Sequence, residues 1–173
     1  MHRGARAPEG LGAALPLLLD CAMAARRKRT LFTIGYEGAD VDRFLATLGD
    51  AGVATVADVR AVALSRKKGF SKNQLRDNLA EAEIGYRHFI DLGTPKAGRE
   101  AARAGDTERM HRIFCEQLAT GGAQAQLEEL TELAGKEPIC LLCFERDPAQ
   151  CHRRIVAERL AKRGFKTVDL FVI

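Results

Sequence analysis

Thiol, imidazole and carboxylate side chains are concentrated in the segment Pro138 to Arg154, which reads PICLLCFERDPAQCHRR. Such groups can act as nucleophiles, transfer protons or bind a metal ion. The segment's candidate catalytic residues are Glu145, Cys151 and His152, and its candidate substrate-binding residue is Arg153. It is therefore the first place where chemistry is expected.

A buried strand followed by a helix would position these side chains. Ile139 to Phe144 is an uninterrupted apolar run of strand length, typical of a strand covered on both faces in a parallel sheet. Asp147 and Pro148 favour a helix start, so we predict a helix from Pro148 to Arg163. Cys151 and His152 would lie one turn inside this helix and face the sheet. They would then be at the carboxyl end of a strand, where open α/β sheets place ligands.

The cysteines of this segment allow more than one interpretation. A zinc site would need Cys140 and Cys143 together, but residues three apart on a strand face opposite sides. We therefore assign Cys140 to the core, expect no structural zinc and name no metal ligands. Cys151 and His152 are either a nucleophile with its proton carrier or packed core residues. The Cys-x5-Arg loop of cysteine phosphatases is absent, because alanines stand where its arginine would be.

Polar residues also follow other predicted strands. The strands are predicted at Leu31 to Gly35, Val53 to Val59, Tyr86 to Ile90, Ile139 to Phe144 and Phe165 to Val172. The remaining candidate site residues are Asp58 as a catalytic base, and Tyr36, Glu37, Arg60, Arg66 and His88 as substrate-binding residues. Together with His88 and His152, the carboxylates form either an acid/base set or a divalent-metal site. The alternative is ion pairs in which Asp58 and Glu145 hold Arg60 and Arg153.

A basic loop follows the second predicted strand. Ala61 to Phe70 has no hydrophobic period and is predicted to be mobile. Its cations, Arg66, Lys67 and Lys68, favour an anionic ligand such as phosphate. A capping box of Ser71 and Gln74 is predicted to begin the next helix.

Strands and helices alternate along the chain, which predicts a single α/β domain over residues 29–173. We expect a mostly parallel five-stranded sheet with helices on both faces, in a Rossmann-like or flavodoxin-like three-layer arrangement. Leu92 to Arg109 has scattered Gly, Pro and charges and is predicted to be an irregular lid. Residues 1–28 are predicted to be a disordered or artefactual extension, because acidic residues and proline interrupt the apolar core that a signal peptide needs.

The composition, 46% hydrophobic and 29% charged residues, is that of a soluble globular protein. The net charge of +4 permits an anionic ligand without requiring nucleic acid. The five cysteines are an odd number, which argues against a disulfide framework and predicts a cytoplasmic location. No stretch approaches the ~20 apolar residues of a membrane span.

Six segments resemble a known family. They are T-I-G-Y-E-G at Thr33 to Gly38, D-V-R at Asp58 to Arg60, S-R-K-K-G-F-S at Ser65 to Ser71, I-G-Y-R-H at Ile84 to His88, L-G at Leu92 to Gly93, and L-L-C-F-E-R-D-P-A-Q-C-H-R-R at Leu141 to Arg154. Together and in this order they resemble the domain-of-unknown-function 488 family. The resemblance implies a compact α/β domain in a bacterial or archaeal cytoplasm, and it brings no established activity, cofactor or catalytic residue. Residues before Arg26 lie outside the family pattern.

Three functional hypotheses follow. The first is an enzyme that acts on a phosphate-bearing or otherwise anionic substrate, with the anion held by Arg60, Arg66 and Arg153, a base provided by Glu145 or Asp58, and a nucleophile or proton carrier provided by Cys151 and His152. The second is a non-catalytic module that binds a nucleotide or nucleic acid through the basic loop 66–72. The third is a structural or interaction protein whose polar cluster is only a buried network. The sequence indicates neither a cofactor nor an oligomeric state.

Overall fold

A five-stranded sheet forms the centre of the computed structural model of the protein, which describes residues 30–173. The strands are β1 (Thr30–Gly35), β2 (Thr55–Asp58), β3 (Gly85–His88), β4 (Ile139–Cys143) and β5 (Lys166–Leu170). They lie in the order β3-β2-β4-β1-β5, and every neighbouring pair is parallel. The predicted α/β fold class is confirmed. The extension predicted over residues 1–28 lies outside the described residues.

Helices cover both faces of this sheet. The α-helices within residues 30–173 are α1 (Val41–Asp50), α2 (Lys72–Glu81), α3 (Lys96–Arg103), α4 (Thr107–Leu118), α5 (Gly121–Lys136) and α6 (Arg153–Ala161), with 3-10 turns at Ile90–Leu92 and Pro148–Gln150. Apolar residues of α1 and α2 pack on one face of the sheet, and those of α4, α5 and α6 pack on the other. None of these helices combines the length and the apolar composition that a membrane span requires.

Strand β4 is buried along its whole length because it lies between β2 and β1 and has helices on both sides. Its side chains alternate between the two faces. Cys140 and Leu142 pack toward α1 and α2, whereas Ile139 and Leu141 pack toward the opposite helices. Cys140 is fully buried in this apolar cluster, so its assignment to the core is confirmed.

The predicted helix from Pro148 to Arg163 is wrong at its beginning. The Asp147 side chain accepts a hydrogen bond from Ala149 N, as predicted for a cap, but the turn that it caps is a 3-10 turn. Cys151 then adopts an extended conformation, with φ −127° and ψ 141°, and the α-helix begins only at Arg153. Cys151 and His152 therefore precede the helix instead of lying inside it. Both are buried, as predicted for side chains that face the sheet.

Two further predictions are wrong. The segment Leu92 to Arg109, expected to be irregular, contains helix α3 and the first turn of α4. Helix α3 has no large apolar stripe because it packs through small residues, and Gly98 and Ala101 are its buried positions. The expected capping box does not form. Ser71 is the N-cap of α2, but its hydroxyl donates to Ser65 O at 2.9 Å rather than accepting from the helix.

Candidate functional site

A cavity of about 690 Å³ lies at the carboxyl edge of the sheet. Its lining comes from the ends of β1 and β4, the loop after β2, helix α3 and the beginning of α4. Six of the predicted site residues line it: Tyr36, Glu37, Arg60, Arg66, Glu145 and His152. Four do not: Asp58, His88, Cys151 and Arg153. The strand ends thus bring most of the predicted residues together, with the others behind the cavity wall.

Two cysteines and a histidine meet at the base of this cavity. The Sγ atoms of Cys143 and Cys151 lie 3.8 and 4.0 Å from Nδ1 of His152. These three atoms all lie within 4.8 Å of one another, and each residue is buried. Cys143 comes from the end of β4, whereas the other two come from the turn before α6. We call these three residues the Cys-Cys-His cluster.

The orientation of the His152 ring is set by the backbone. Nε2 lies 2.8 Å from the carbonyl oxygen of Val59. A carbonyl oxygen can only accept a hydrogen bond, so Nε2 carries a hydrogen. Nδ1 therefore faces the two sulfur atoms, where it either accepts a thiol proton or, once protonated, donates to a thiolate. The three side chains can therefore share protons or bind a metal cation together.

Proton sharing is reflected in the pKa values of the cluster. Burial would raise the pKa of Cys151, but hydrogen bonds from Cys143 and His152, together with positive charge from His152 and Arg153, hold that pKa well below its usual value. The hydrogen bond to Cys151, followed by burial, raises the pKa of Cys143. Burial lowers the pKa of His152, but the Cys151 thiolate outweighs it and the net change is upward. The cluster therefore favours a negative charge on Cys151 beside a positive one on His152.

Glu145 extends the cluster into the cavity. Cys143 Sγ donates to its Oε2 at 3.2 Å. Burial raises the pKa of this carboxyl to about 7, and the charge of the nearby Cys151 thiolate contributes in the same direction. Within the cavity lining, Glu145 and the exposed Glu37 are the carboxylates. The Oε2 atom of Glu37 accepts from Arg146 N at 3.0 Å and so holds the loop after β4.

Asp58 and Arg60 form a buried ion pair beside the cavity. Arg60 donates to Asp58 through Nε at 2.8 Å and through a terminal nitrogen at 2.6 Å. It also donates to Tyr36 Oη and to the carbonyl of Phe70, both at 3.0 Å. Burial would lower the pKa of Arg60, but Asp58 outweighs it and the net shift is upward. The ion-pair interpretation is therefore right for these two residues.

Tyr86 and His88, both on β3, support the Asp58–Arg60 pair. Tyr86 donates its hydroxyl to Asp58 at 2.7 Å, and burial followed by the charge of Asp58 raises the pKa of the tyrosine. His88 Nε2 lies 2.8 Å from the carbonyl oxygen of Arg60. His88 thus holds the backbone after β2 rather than reaching the cavity.

Arg153 supports the loop after β4, which carries Glu145. Its guanidinium donates to Thr33 Oγ1 at 3.3 Å, to Arg146 O at 3.0 Å and to the carbonyl oxygen of Glu145. The side chain is fully buried. Its contacts are with main-chain carbonyls and a hydroxyl, not with the Glu145 carboxylate, so the ion-pair interpretation does not hold for this pair. Arg153 fixes the loop that carries Glu145.

The family model described as "Domain of unknown function DUF488" matches residues 40–160. The chain belongs to this family. The resemblance noted in the sequence is confirmed, and the match includes the Cys-Cys-His cluster, Glu145 and the Asp58–Arg60 pair. Neither curated proteins nor solved structures give a match.

In this DUF488 chain, the predicted site residues do not include three ionisable residues that line the cavity: Cys143, Arg99 and Arg103. The two arginines come from α3, the helix that was expected to be irregular. Their spacing of four residues places both on one helix face, which is a signal available in the sequence. Arg99 donates to Thr94 O at 2.8 Å, whereas Arg103 is exposed. The sequence does place Cys143 near the end of its strand on the same face as Glu145, and this position is the signal that marks it as a site residue.

The DUF488 cavity thus combines proton-exchanging groups at its bottom with positive charge on its wall. The groups at the bottom are thiol, imidazole and carboxyl groups. The cavity-lining cations are Arg60, Arg66, Arg99 and Arg103. Guanidinium groups bind phosphate and carboxylate through paired N–H donors. The arrangement is suited to holding an anion next to groups that transfer protons.

Proposed function

We propose that this DUF488 protein is a hydrolase that acts on a phosphate-bearing or other anionic substrate in the cavity. The observation that carries the proposal is the placement of Glu145 in the same cavity lining as Arg66, Arg99 and Arg103. A carboxyl group beside several guanidinium groups can transfer a proton while the anion is held. The convergence of unlike polar groups from separate elements in one cavity supports an active site.

The arginines of the cavity contribute unequally. Arg60 already gives four of its N–H groups to Asp58, Tyr36 and Phe70 O, and Asp58 balances its charge, so it contributes little to binding an anion. Arg66 and Arg103 are exposed and have donors to offer, and Arg99 uses one nitrogen on Thr94. In this proposal Arg66, Arg99 and Arg103 bind the anion, and Arg153 positions the loop of Glu145 instead of touching substrate.

Water is the attacking group in this proposal, and Glu145 accepts its proton. Cys151 is fully buried and does not line the cavity, so attack by its sulfur would need the site to open. Glu145 lies in the lining and needs no such movement. Asp58 is committed to Arg60 and Tyr86, which leaves Glu145 as the base. His152 and Cys151 then act as proton carriers behind it.

A panel of phosphomonoesters, phosphodiesters and nucleotides tests this proposal. The wild type should hydrolyse at least one member, and Glu145→Gln should lower kcat about 10²- to 10⁴-fold, the usual contribution of a positioned proton-transfer group. Glu116→Gln, at an exposed position of α4 outside the cavity, is the matched control and should leave kcat unchanged. Absence of turnover by the wild type across the panel, with and without divalent metal, would overturn the proposal.

The arginines need their own comparison. Arg103→Ala should raise KM for the active substrate, because one guanidinium contact to the anion is lost. Arg76→Ala, on the exposed face of α2, removes the same charge away from the cavity and should leave KM unchanged. Equal effects of the two substitutions would show that only net charge matters.

Binding without catalysis is the second candidate, and exposed cations on the loop 66–72 favour it. Arg66, Lys68 and Lys72 are exposed, but of these only Arg66 lines the cavity. A nucleic-acid-binding surface here predicts affinity that falls steeply with salt, with a shallower slope in Lys68→Ala/Lys72→Ala. Undetectable binding to DNA, RNA and nucleotides at low salt would exclude this candidate.

A further inference from the structure

The Cys-Cys-His cluster has the geometry of an incomplete tetrahedron. A zinc ion bonded to sulfur at about 2.3 Å and to nitrogen at about 2.0 Å requires ligand atoms roughly 3.5 to 3.8 Å apart at tetrahedral angles. The two sulfur-to-Nδ1 distances are 3.8 and 4.0 Å, and all three atoms lie within 4.8 Å of one another. Movements of a few tenths of an ångström, up to about 1 Å for the longest distance that this limit permits, would bring the atoms to bonding positions.

The imidazole of His152 is already oriented as a metal ligand. Histidines that bind metals usually donate their second ring N–H to a carbonyl or carboxylate, which fixes the ring and the tautomer. Here Nε2 donates to Val59 O at 2.8 Å, and Nδ1 points at both sulfurs. One nitrogen lone pair can accept a proton from only one of two thiols, whereas one cation can bind all three atoms at once.

The expectation of no structural zinc rests on a four-ligand set that includes Cys140. That residue packs on the other face of the sheet, so the set cannot form. Three ligands remain without it, and three protein ligands with one open position are the pattern of catalytic zinc sites. Cys143 and His152 line the cavity, so the fourth position would face the cavity.

We propose that Cys143, Cys151 and His152 bind a divalent cation of the zinc class, with the open coordination position toward the cavity. Both sulfurs bind as thiolates, and the displaced thiol protons pass to solvent. Soft thiolate ligands with imidazole favour Zn²⁺ over Mg²⁺ or Ca²⁺, which prefer oxygen ligands. Glu145, whose Oε2 is 3.2 Å from Cys143 Sγ, lies next to the ion and not among its ligands.

The role of the ion in hydrolysis rests on the proposed function, although its binding does not. A bound Zn²⁺ makes its water a stronger acid and so supplies a nucleophile near neutral pH. Glu145 would take the proton of that water, and the cavity arginines would hold the anion beside it. Cys151 and His152 would then serve as ligands in place of the proton-carrier role that they have in the metal-free proposal. The same water that the proposed hydrolase activates would thus be bound at the fourth position.

Direct metal binding tests the inference on the full chain. The reduced protein is freed of metal with a chelator and titrated with Zn²⁺ in competition with a chromogenic chelator. One equivalent should bind. Cys143→Ser, Cys151→Ser and His152→Gln should each weaken binding by at least about 100-fold, since even the loss of supporting residues around a metal costs 10- to 100-fold.

Cys115 serves as the matched control, because it is exposed on α4 and does not belong to the cluster. Cys115→Ser should bind one equivalent with the wild-type affinity. Circular dichroism checks that each variant is folded. Failure of the wild type to bind Zn²⁺, unchanged affinity in the three ligand variants, or loss of binding in a control would overturn the inference.

Cobalt provides a readout that does not depend on variants. Co²⁺ bound by the wild type should show thiolate-to-cobalt charge-transfer bands in the ultraviolet and intense visible bands of tetrahedral coordination. A spectrum without thiolate bands would overturn the inference even if every variant fails to fold. Stoichiometric metal binding without turnover would uphold this inference and overturn the proposed hydrolase. Full turnover by protein shown to be metal-free would uphold the proposed hydrolase and overturn the role of the ion in it, whereas the binding measurements alone decide whether the cluster holds the ion.

Discussion

The guanidinium of Arg60 binds both carboxylate oxygens of Asp58, two residues earlier in the chain, at 2.8 and 2.6 Å. Neither side chain is more than 5% exposed. Asp58 is the last residue of β2, and its carboxylate also accepts the hydroxyl of Tyr86. The pair therefore joins the exit of β2 to β3 and to the Tyr36 hydroxyl, beside the cavity. Its stability sets the position of that wall.

Removing one member of this pair should be costly, whereas removing both should cost less than the sum. Asp58→Asn and Arg60→Met should each lower the free energy of unfolding by about 3 to 5 kcal/mol, because each leaves a buried polar partner uncompensated. The double variant should recover part of this loss. Urea unfolding measures all three. The exposed pair Arg76 and Asp77 is the control, and Asp77→Asn should cost at most about 1 kcal/mol.

Arg153 should not be replaceable by lysine. Its planar guanidinium reaches the carbonyls of Glu145 and Arg146 and the hydroxyl of Thr33 at the same time. An ammonium group cannot match that geometry. Arg153→Lys should lower the free energy of unfolding by about 2 to 3 kcal/mol, the scale of one charged hydrogen bond or more. Arg154→Lys, exposed in the next position, should change it by less than about 0.5 kcal/mol. Thermal or urea unfolding of both variants checks this, and equal effects would contradict it.

The position of the site could be predicted from the sequence because strand ends are visible there. The apolar run of β4 and the helix after it place Cys143, Glu145 and His152 at one sheet edge, whatever the exact boundaries. The partner of Arg153 could not be predicted in this way. Its acceptors are main-chain carbonyls, which every residue carries, so no residue type marks them.

Helix α3 was missed for a physical reason. Its apolar face, at residues 97, 98, 101 and 102, contains only alanine and glycine and lacks the large apolar side chains that usually mark a helix in a sequence. Because the sequence does not predict this helix, Arg99 and Arg103 are not among the predicted site residues. The start of α6 was misplaced because Asp147 and Pro148 begin either an α-helix or a 3-10 turn equally well. Because this turn is a 3-10 turn of three residues, Cys151 and His152 lie before the α-helix and next to Cys143.

Gly35 should tolerate no side chain. It is the last residue of β1 and pairs with Cys143 of β4. A Cβ atom there would lie 1.8 Å from the carbonyl oxygen of Glu145, so the loop of Glu145 would have to move. Gly35→Ala should lower the free energy of unfolding by at least about 1 to 3 kcal/mol, the usual cost of overpacking, and should reduce activity as well.

Gly49→Ala is the matched control for that substitution. Gly49 is exposed in α1, and nothing lies within 4 Å of the Cβ position. Alanine should leave stability unchanged or raise it by up to about 1 kcal/mol, because glycine is a poor helix former. Urea unfolding compares the two variants. A destabilisation by Gly35→Ala no larger than that of the control would contradict the close packing of β1 against the loop.

Cys140 should make the protein less stable in alkaline solution. Burial raises the pKa of its thiol, so the folded protein keeps this proton at pH values where the unfolded chain loses it. Ionisation then favours the unfolded state above the ordinary cysteine pKa of about 8.5, by up to about 1.4 kcal/mol per pH unit. The contribution is fully present below that pH and is lost as the pH rises.

Cys140→Ala removes this titration and should flatten the decline. At pH 7 the variant should be somewhat less stable than the wild type, because a small cavity replaces the sulfur. The two stability curves should converge between about pH 9 and 10.5, as the wild type loses the contribution of its buried thiol. Urea unfolding at several pH values measures both curves. Parallel stability curves for Cys140→Ala and the wild type would show that the alkaline loss comes from other groups.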